Sequence, residues 1–277
     1  MKKIRLGHTP DADDAFMFYG LASGKIASEF EIEHFIEDIE SLNKRAINHE
    51  LDVTAVSAHA YAYLHDYVIL RSGSSFGIDY GPIVIAPKES GITKDNLSKK
   101  TIAIPGRMTS ANLLLQLAIG RFAGKEVSFE KIPDSVRAGT VDAGLIIHEA
   151  QITYDKNEFD AVLDLGKWWS NETQSLPVPL GINVASTRTM TDEEIQAFST
   201  LFAQSIDFGL KNIDAAVDYA MKYGRNQPRE TIRRFVKMYV NDFTTDMGPD
   251  GRKSVGTFFD MAYRRGLLER LPAVKVV

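Results

Sequence analysis

The chain of 277 residues has no cysteine, which excludes disulfides, thiolate zinc sites, iron–sulfur clusters and a cysteine nucleophile together. It has no long apolar run either; nothing approaches the roughly 20 consecutive apolar residues of a membrane-spanning helix. Positive charge is in deficit. The 32 Lys and Arg stand against 37 Asp and Glu, a formal charge of -5, so there is no electrostatic case for nucleic acid or an anionic membrane as partner. Any basic site must be local. Internal repeats and low-complexity tracts are absent, as are the HExxH pattern, paired histidines at metal-ligand spacing and a nucleotide P-loop. The opening Met1-Lys2-Lys3-Ile4-Arg5-Leu6-Gly7 reaches His8, Thr9 and Asp11 before the apolar region of a signal peptide could form, so a cytoplasmic location is expected. Neither a metal nor an organic cofactor is expected.

What is present is an ordinary globular composition, 44% hydrophobic and 25% charged, at a length where one core tends to divide into two. The first half alternates short β-rich runs (Ile4 to Leu6, Phe30 to Ile36, Val53 to Val56) with helical patterns, which predicts βαβ units and a mostly parallel sheet. A second α/β set starts at Thr101 to Gly106, continues with an apolar helix from Ser110 and through Val127 to Ile132, and includes the apolar strand Ala143 to Ile147 that delivers His148. Beyond Leu180 the pattern becomes long amphipathic helices, with Gly248-Pro249-Asp250-Gly251 reading as a turn ahead of the last one. The predicted fold class is α/β, a clamshell with a cleft between two lobes: residues 1–87 plus 181–277, and residues 88–180. The runs Pro82 to Ala86 and Pro179 to Val184 are the candidate crossover strands.

Ligands of open α/β sheets sit beyond the carboxyl ends of the strands, so polar residues directly after strand-like runs are the site candidates. Four places qualify. Gly7 to Asp14 brings Asp11, Asp13 and Asp14 close together, and the alternative reading is a helix start capped by Asp. Ala55-Val56-Ser57 precedes a helix start where Ser57 either donates to an anionic group or merely caps; His59, inside that helix, reads as structural. Thr109 and Ser110 open the long apolar helix, a cradle for a carboxylate or phosphate to which Arg107 could add charge, or again only a cap. His148 ends a buried strand and would place a group suited to taking a proton at the cleft, or would be satisfied by backbone. Trp168 and Trp169 read as core packing.

Seven stretches also resemble a known family: Gly7 to Tyr19, Glu37 to Asn43, Pro105 to Ala111, Gly144 to Glu149, Asp164 to Trp169, Pro177 to Gly181 and Tyr239 to Phe243. They are similar to the menaquinone-biosynthesis enzymes of the futalosine route, and within them to the 1,4-dihydroxy-6-naphthoate synthases rather than the chorismate dehydratases. The resemblance implies a fold like the type II periplasmic binding proteins. It also implies a lyase that cleaves the sugar-derived part from cyclic dehypoxanthine futalosine and leaves an aromatic bicyclic acid. It places the proton acceptor at His148 and substrate contacts at Ala55, Val56, Ser57, Thr109 and Ser110. Where the best-known synthases carry Pro-Cys-Pro-Asn-Asp, this chain has Pro10-Asp11-Ala12-Asp13-Asp14, so the contacts of that Asn pass to Asp13, with Asp14 beside it and added negative charge facing an anionic substrate. The rival readings are a solute-binding protein on the same clamshell and a chorismate dehydratase.

Overall fold

The computed structural model describes residues 1–223 and 228–277. Its strands are β1 (Lys2–His8), β2 (Phe30–Ile36), β3 (Val53–Ser57), β4 (Tyr67–Ile69), β5 (Ser75–Gly77), β6 (Ile83–Pro87), β7 (Thr101–Ile104), β8 (Ala123–Glu126), β9 (Ala143–Ile146), β10 (Phe159–Asp164) and β11 (Val178–Ser186). They build two sheets. The first is ordered β2-β1-β3-β11-β4 with β5 also on β11, and the second is ordered β10-β6-β9-β7-β8. In β1 the alternation of Ile4 and Leu6, fully buried, with more exposed Lys3 and Arg5 puts one face on the core, whereas β3, flanked by β1 and β11, is buried at every position.

The expectation of mostly parallel pairing is corrected. β1 is parallel to β2 and β3, and β7 to β8 and β9, but β11 runs antiparallel to β3, β4 and β5, and β6 antiparallel to β9 and β10. These two strands carry the chain into the second sheet and back, so neither is joined to a neighbour in its own sheet by the crossover helix that parallel pairing needs. The expected boundaries shift with them. Residues 83–87 lie inside the second sheet, and 178–180 already belong to the first. At the outward crossing Gly81 lies against Gly166 so closely that a Cβ on Gly166 would stand 2.2 Å from the Tyr80 carbonyl carbon; no larger residue fits either position without moving backbone.

Two local expectations also change. The strand next to β7 is β8 at Ala123–Glu126, while Val127 to Ile132 leads through a 3₁₀ turn at Phe129–Lys131 into the helix Ile132–Arg137. Gly248 to Gly251 is the first turn of the helix Gly248–Arg264 rather than a loop ahead of it; Pro249 is tolerated there because first-turn N–H groups have no intrahelical partner. The other long C-terminal helices are Asp192–Lys211, Ile213–Ala220 and Arg229–Tyr239. They bury Phe198, Phe202 and Phe235 against Phe16 and Phe18, with Phe18 stacked on Phe202 at 4.5 Å. A second cluster runs from Ile102 and Leu114 through Trp169 and Phe258 to Val56 and Val184, joining the two sheets. Each such buried side chain contributes roughly 1.5–3 kcal/mol. Among the described residues no helix is long and apolar enough to cross a membrane.

Candidate active site

A cleft of about 660 Å³, open mouth included, collects the ends of β1, β3, β7 and β9. Asp13, Asp14, Ala55, Ser57, Thr109, Ser110 and His148 all line it. Val56 does not. Successive residues of a strand face opposite sides, and Val56 is fully buried in the apolar cluster behind β3 while its neighbours Ala55 and Ser57 face the cleft. Arg107 is also displaced from its expected role: it is exposed, pairs with Glu126 at 2.8 Å and is not part of the lining. Among the described residues no lysine or arginine lines the cleft.

β9 stops at Ile146, and His148 two residues later has a left-handed backbone, φ 54°, that a side-chain-bearing residue adopts only when its surroundings hold it. Gln151 supplies the hold. With its amide nitrogen donating to the Gly81 carbonyl at 2.9 Å, its oxygen accepts from the Tyr239 hydroxyl at 2.8 Å and from the His148 N–H at 3.3 Å. The ring is fixed separately. His148 Nδ1 stands 3.1 Å from Asp11 Oδ2, and Phe129 meets the imidazole edge-to-face at 4.8 Å. A carboxylate at Nδ1 places the proton there and leaves Nε2 with the lone pair, the tautomer a base requires.

The turn Thr9 to Asp14 is therefore not a simple helix cap. Asp11 has extended backbone at the N-cap position of the helix Ala12–Met17, yet its side chain makes no capping bond. It accepts from Thr9 Oγ1 at 2.8 Å and faces His148. Asp14 accepts the Thr9 N–H at 2.7 Å; burial, with Asp11 adding to it and that N–H opposing, pushes its carboxyl up to about 6. Asp13 is 7% exposed, accepts a long bond from Ser75 Oγ at 3.4 Å through Oδ2, and has no partner for Oδ1 among the described residues. Burial first, then Asp14, Asp11 and Glu149, hold it well above the usual carboxylate range.

The other turns are internally satisfied. Thr109 Oγ1 donates to the Gly106 carbonyl at 2.8 Å and accepts the Asn112 N–H, capping the helix Ser110–Ile119. Ser110 Oγ donates to the Leu180 carbonyl at 2.6 Å and accepts the His59 N–H at 3.3 Å. Both hydroxyl protons are thus committed to backbone, and what this turn offers an anion is the free N–H end of the helix. Asn43 holds Ser57 from both sides, accepting its N–H at 2.8 Å and donating to its hydroxyl at 3.1 Å, so the Ser57 hydroxyl keeps a proton to donate. His59 is structural: burial lowers it to about 4 against the opposing Thr109 carbonyl, 3.3 Å from its Nδ1. Asp11 is marked in the sequence only as part of the acidic run, Asn43 and Tyr239 only as members of stretches that resemble the family, and Gln151 by nothing. Among the described residues no group of three or more His, Asp or Glu is arranged to hold a metal ion.

Two mixed sheets joined by a double crossing, with a cleft at their strand ends, define an α/β protein of the two-lobed, type II periplasmic-binding-protein-like class. The alkanesulfonate-binding protein of Xanthomonas axonopodis pv. citri superimposes at a TM-score of 0.72 over 100% of this chain and 98% of its own, at 14% identity, a likeness of fold alone. A crystal structure from Archaeoglobus fulgidus superimposes at 0.90 with 48% identity over 96% of this chain and 98% of that one. The model of the menaquinone biosynthesis family matches residues 4–264, and the chain belongs to that family. The 1,4-dihydroxy-6-naphthoate synthase of Thermus thermophilus is 37% identical over 275 residues, 98% of each chain.

Proposed function

We propose that the chain is a cytoplasmic carbon–carbon lyase that converts cyclic dehypoxanthine futalosine to 1,4-dihydroxy-6-naphthoate, with His148 as its base. The observation that carries the reading is the His148–Asp11 pair in the cleft, an imidazole fixed through Nδ1 at 3.1 Å by a buried carboxylate. Family membership and the near-full-length similarity to a naphthoate synthase support the reaction class. In this reading Nε2 of His148 removes a proton from the sugar-derived portion of the substrate. Carbonyl–enol rearrangement follows, a carbon–carbon bond breaks, and aromatisation of the bicyclic product drives the step. The substrate is a small organic anion, held by the N–H end of the helix Ser110–Ile119 with Ser57 as a further donor. Closure of the cleft keeps water from the enolised species.

The test is incubation of purified, metal-free protein with cyclic dehypoxanthine futalosine and, separately, with chorismate, following naphthoate formation and chorismate loss by chromatography and mass. Naphthoate from the first substrate, and no chorismate loss, is the expected result. Chorismate consumption, or tight binding without turnover, would replace the reading by one of its rivals.

A further inference from the structure

The cleft presents an electrostatic difficulty for the substrate just proposed. Three aspartates line it; among the described residues no lysine or arginine does, and the basic side chain on its wall, His148, is engaged with Asp11. An anion would meet a wall of like charge unless part of that wall is neutral. Asp13 is the residue whose surroundings decide the matter. It is more than nine-tenths buried, it lines the cleft, and its Oδ1 has no hydrogen-bond partner among the described residues. A buried carboxylate with one oxygen unmet is costly, whereas a carboxylic acid in the same place carries no charge and holds an O–H for whatever enters.

We infer that Asp13 works as a neutral carboxylic acid whose O–H donates a hydrogen bond to an oxygen of the bound substrate, so that the cleft sets an acid group and the His148 base against one ligand. The inference rests on the lyase reading for the identity of that oxygen: the carbonyl of the sugar-derived portion that becomes enolic as His148 takes the neighbouring proton. The proton moves from carbon to Nε2, the electron pair moves onto the carbonyl oxygen, and the Asp13 O–H meets the charge that develops there. The charged and titratable groups around Asp13 favour its protonated form. Asp11 and Asp14 belong to its own turn, Glu149 comes from the segment after β9, and Tyr80 and Tyr239 come from the β5–β6 loop and the end of the helix Arg229–Tyr239. No cation is among them. The upward displacement of its titration agrees with this arrangement.

An ionised Asp13 would repel an anionic ligand; a protonated one is close in shape and hydrogen bonding to an amide. Asp13→Asn therefore retains a donor and should keep about a tenth or more of the parental kcat, while Asp13→Ala, which has none, should lose about 100-fold, the range typical of removing one donor to developing negative charge. The parent should lose activity toward high pH as Asp13 ionises, and Asp13→Asn should lack that limb. Infrared difference spectra of the ligand-free protein at pH 7 give a readout independent of turnover: the parent should show a protonated-carboxyl C=O band that shifts in D₂O and disappears in Asp13→Asn. Absence of that band, an alkaline limb unchanged in Asp13→Asn, or equal loss in the Asn and Ala variants would each overturn the inference. The band present in a parent that forms no naphthoate would instead overturn the lyase reading, leaving the neutral acid in place.

Discussion

Two strand-to-helix turns line the same cleft and use their polar groups differently. At Gly106 to Asn112 each hydroxyl has a protein partner: Thr109 caps its helix and bonds the Gly106 carbonyl, and Ser110 bridges to Leu180 and His59. At Thr9 to Asp14 three acids are buried side by side, one carboxylate faces an imidazole on a strained backbone, and Oδ1 of Asp13 has no hydrogen-bond partner among the described residues. Native proteins rarely leave buried polar atoms unmet, because each costs about 1–3 kcal/mol. Chemistry is therefore to be sought at the first turn, and architecture with a backbone anion site at the second. Sequence presents both as the same thing, a small polar cluster between a strand and a helix.

The largest difference between the two turns is expected at His148. His148→Ala should lower turnover by on the order of 100-fold or more while circular dichroism and product affinity stay near parental values, as removal of a general base requires. Turnover within a few-fold of the parent would remove the histidine from the mechanism, and with it the case for the first turn. Asp11→Asn comes next. It keeps the shape but presents Nδ1 with an amide in place of a carboxylate, and kcat should fall about 10–100-fold with little change in KM, the usual cost of losing a partner that orients a histidine. Unaltered kcat would return Asp11 to the role of a helix-terminal acid.

The pH dependence of stability sharpens the same contrast. Asp14, raised to about 6, and Asp13, raised well above the usual range, keep their protons in the folded state at pH values where the unfolded chain releases them. Stability from these groups is thus intact below the unfolded carboxyl pKa near 4 and declines as pH rises through 6 and beyond, by up to about 1.4 kcal/mol per pH unit for each group inside its window. Asp52 has the opposite sign. Its burial is outweighed by hydrogen bonds from the Arg5 side chain and N–H that hold it below the usual range, so its contribution is present above the unfolded pKa and lost as pH falls. Asp13→Asn should raise Tm at pH 7.5 by about 2–4 °C, the response of a chain near this size to ~1 kcal/mol, and the gain should shrink as pH falls toward 4. A constant or negative difference from pH 4 to 8 would mean that Asp13 is ionised and matched in the folded state.

Much of this was legible in the sequence where the signal is periodic. β1, β2, β3, β7 and β9 stand where alternating or apolar runs announced them, and His148 stands just past the last of these. Strand direction was not legible, because an apolar run such as Ile83 to Ala86 reads alike in either orientation and only the crossing between sheets makes β6 antiparallel. The site was legible as a set of strand ends but not as pairs. Asp11 and His148 are 137 positions apart and meet only through the fold, and Gln151 carries no local mark of holding the His148 backbone. Val56 shows the limit of transferring a contact by motif: two neighbours reach the cleft, and strand alternation turns the residue between them into the core.

The smallest effect is expected at the satisfied turn. Thr109→Ala removes the oxygen that accepts the Asn112 N–H and the proton given to Gly106, and should cost about 1 kcal/mol as a lost N-cap, with kcat within a few-fold of the parent. Ser110→Ala leaves the Leu180 carbonyl and the His59 N–H without their shared partner and should cost somewhat more, about 1–3 kcal/mol, again mainly in Tm. Thr109→Ser should restore the cap. These substitutions keep every backbone N–H of the helix terminus, so an anion held there should lose little affinity. A tenfold rise in KM with Tm unchanged would place the Thr109 hydroxyl on the ligand and erase the distinction between the two turns.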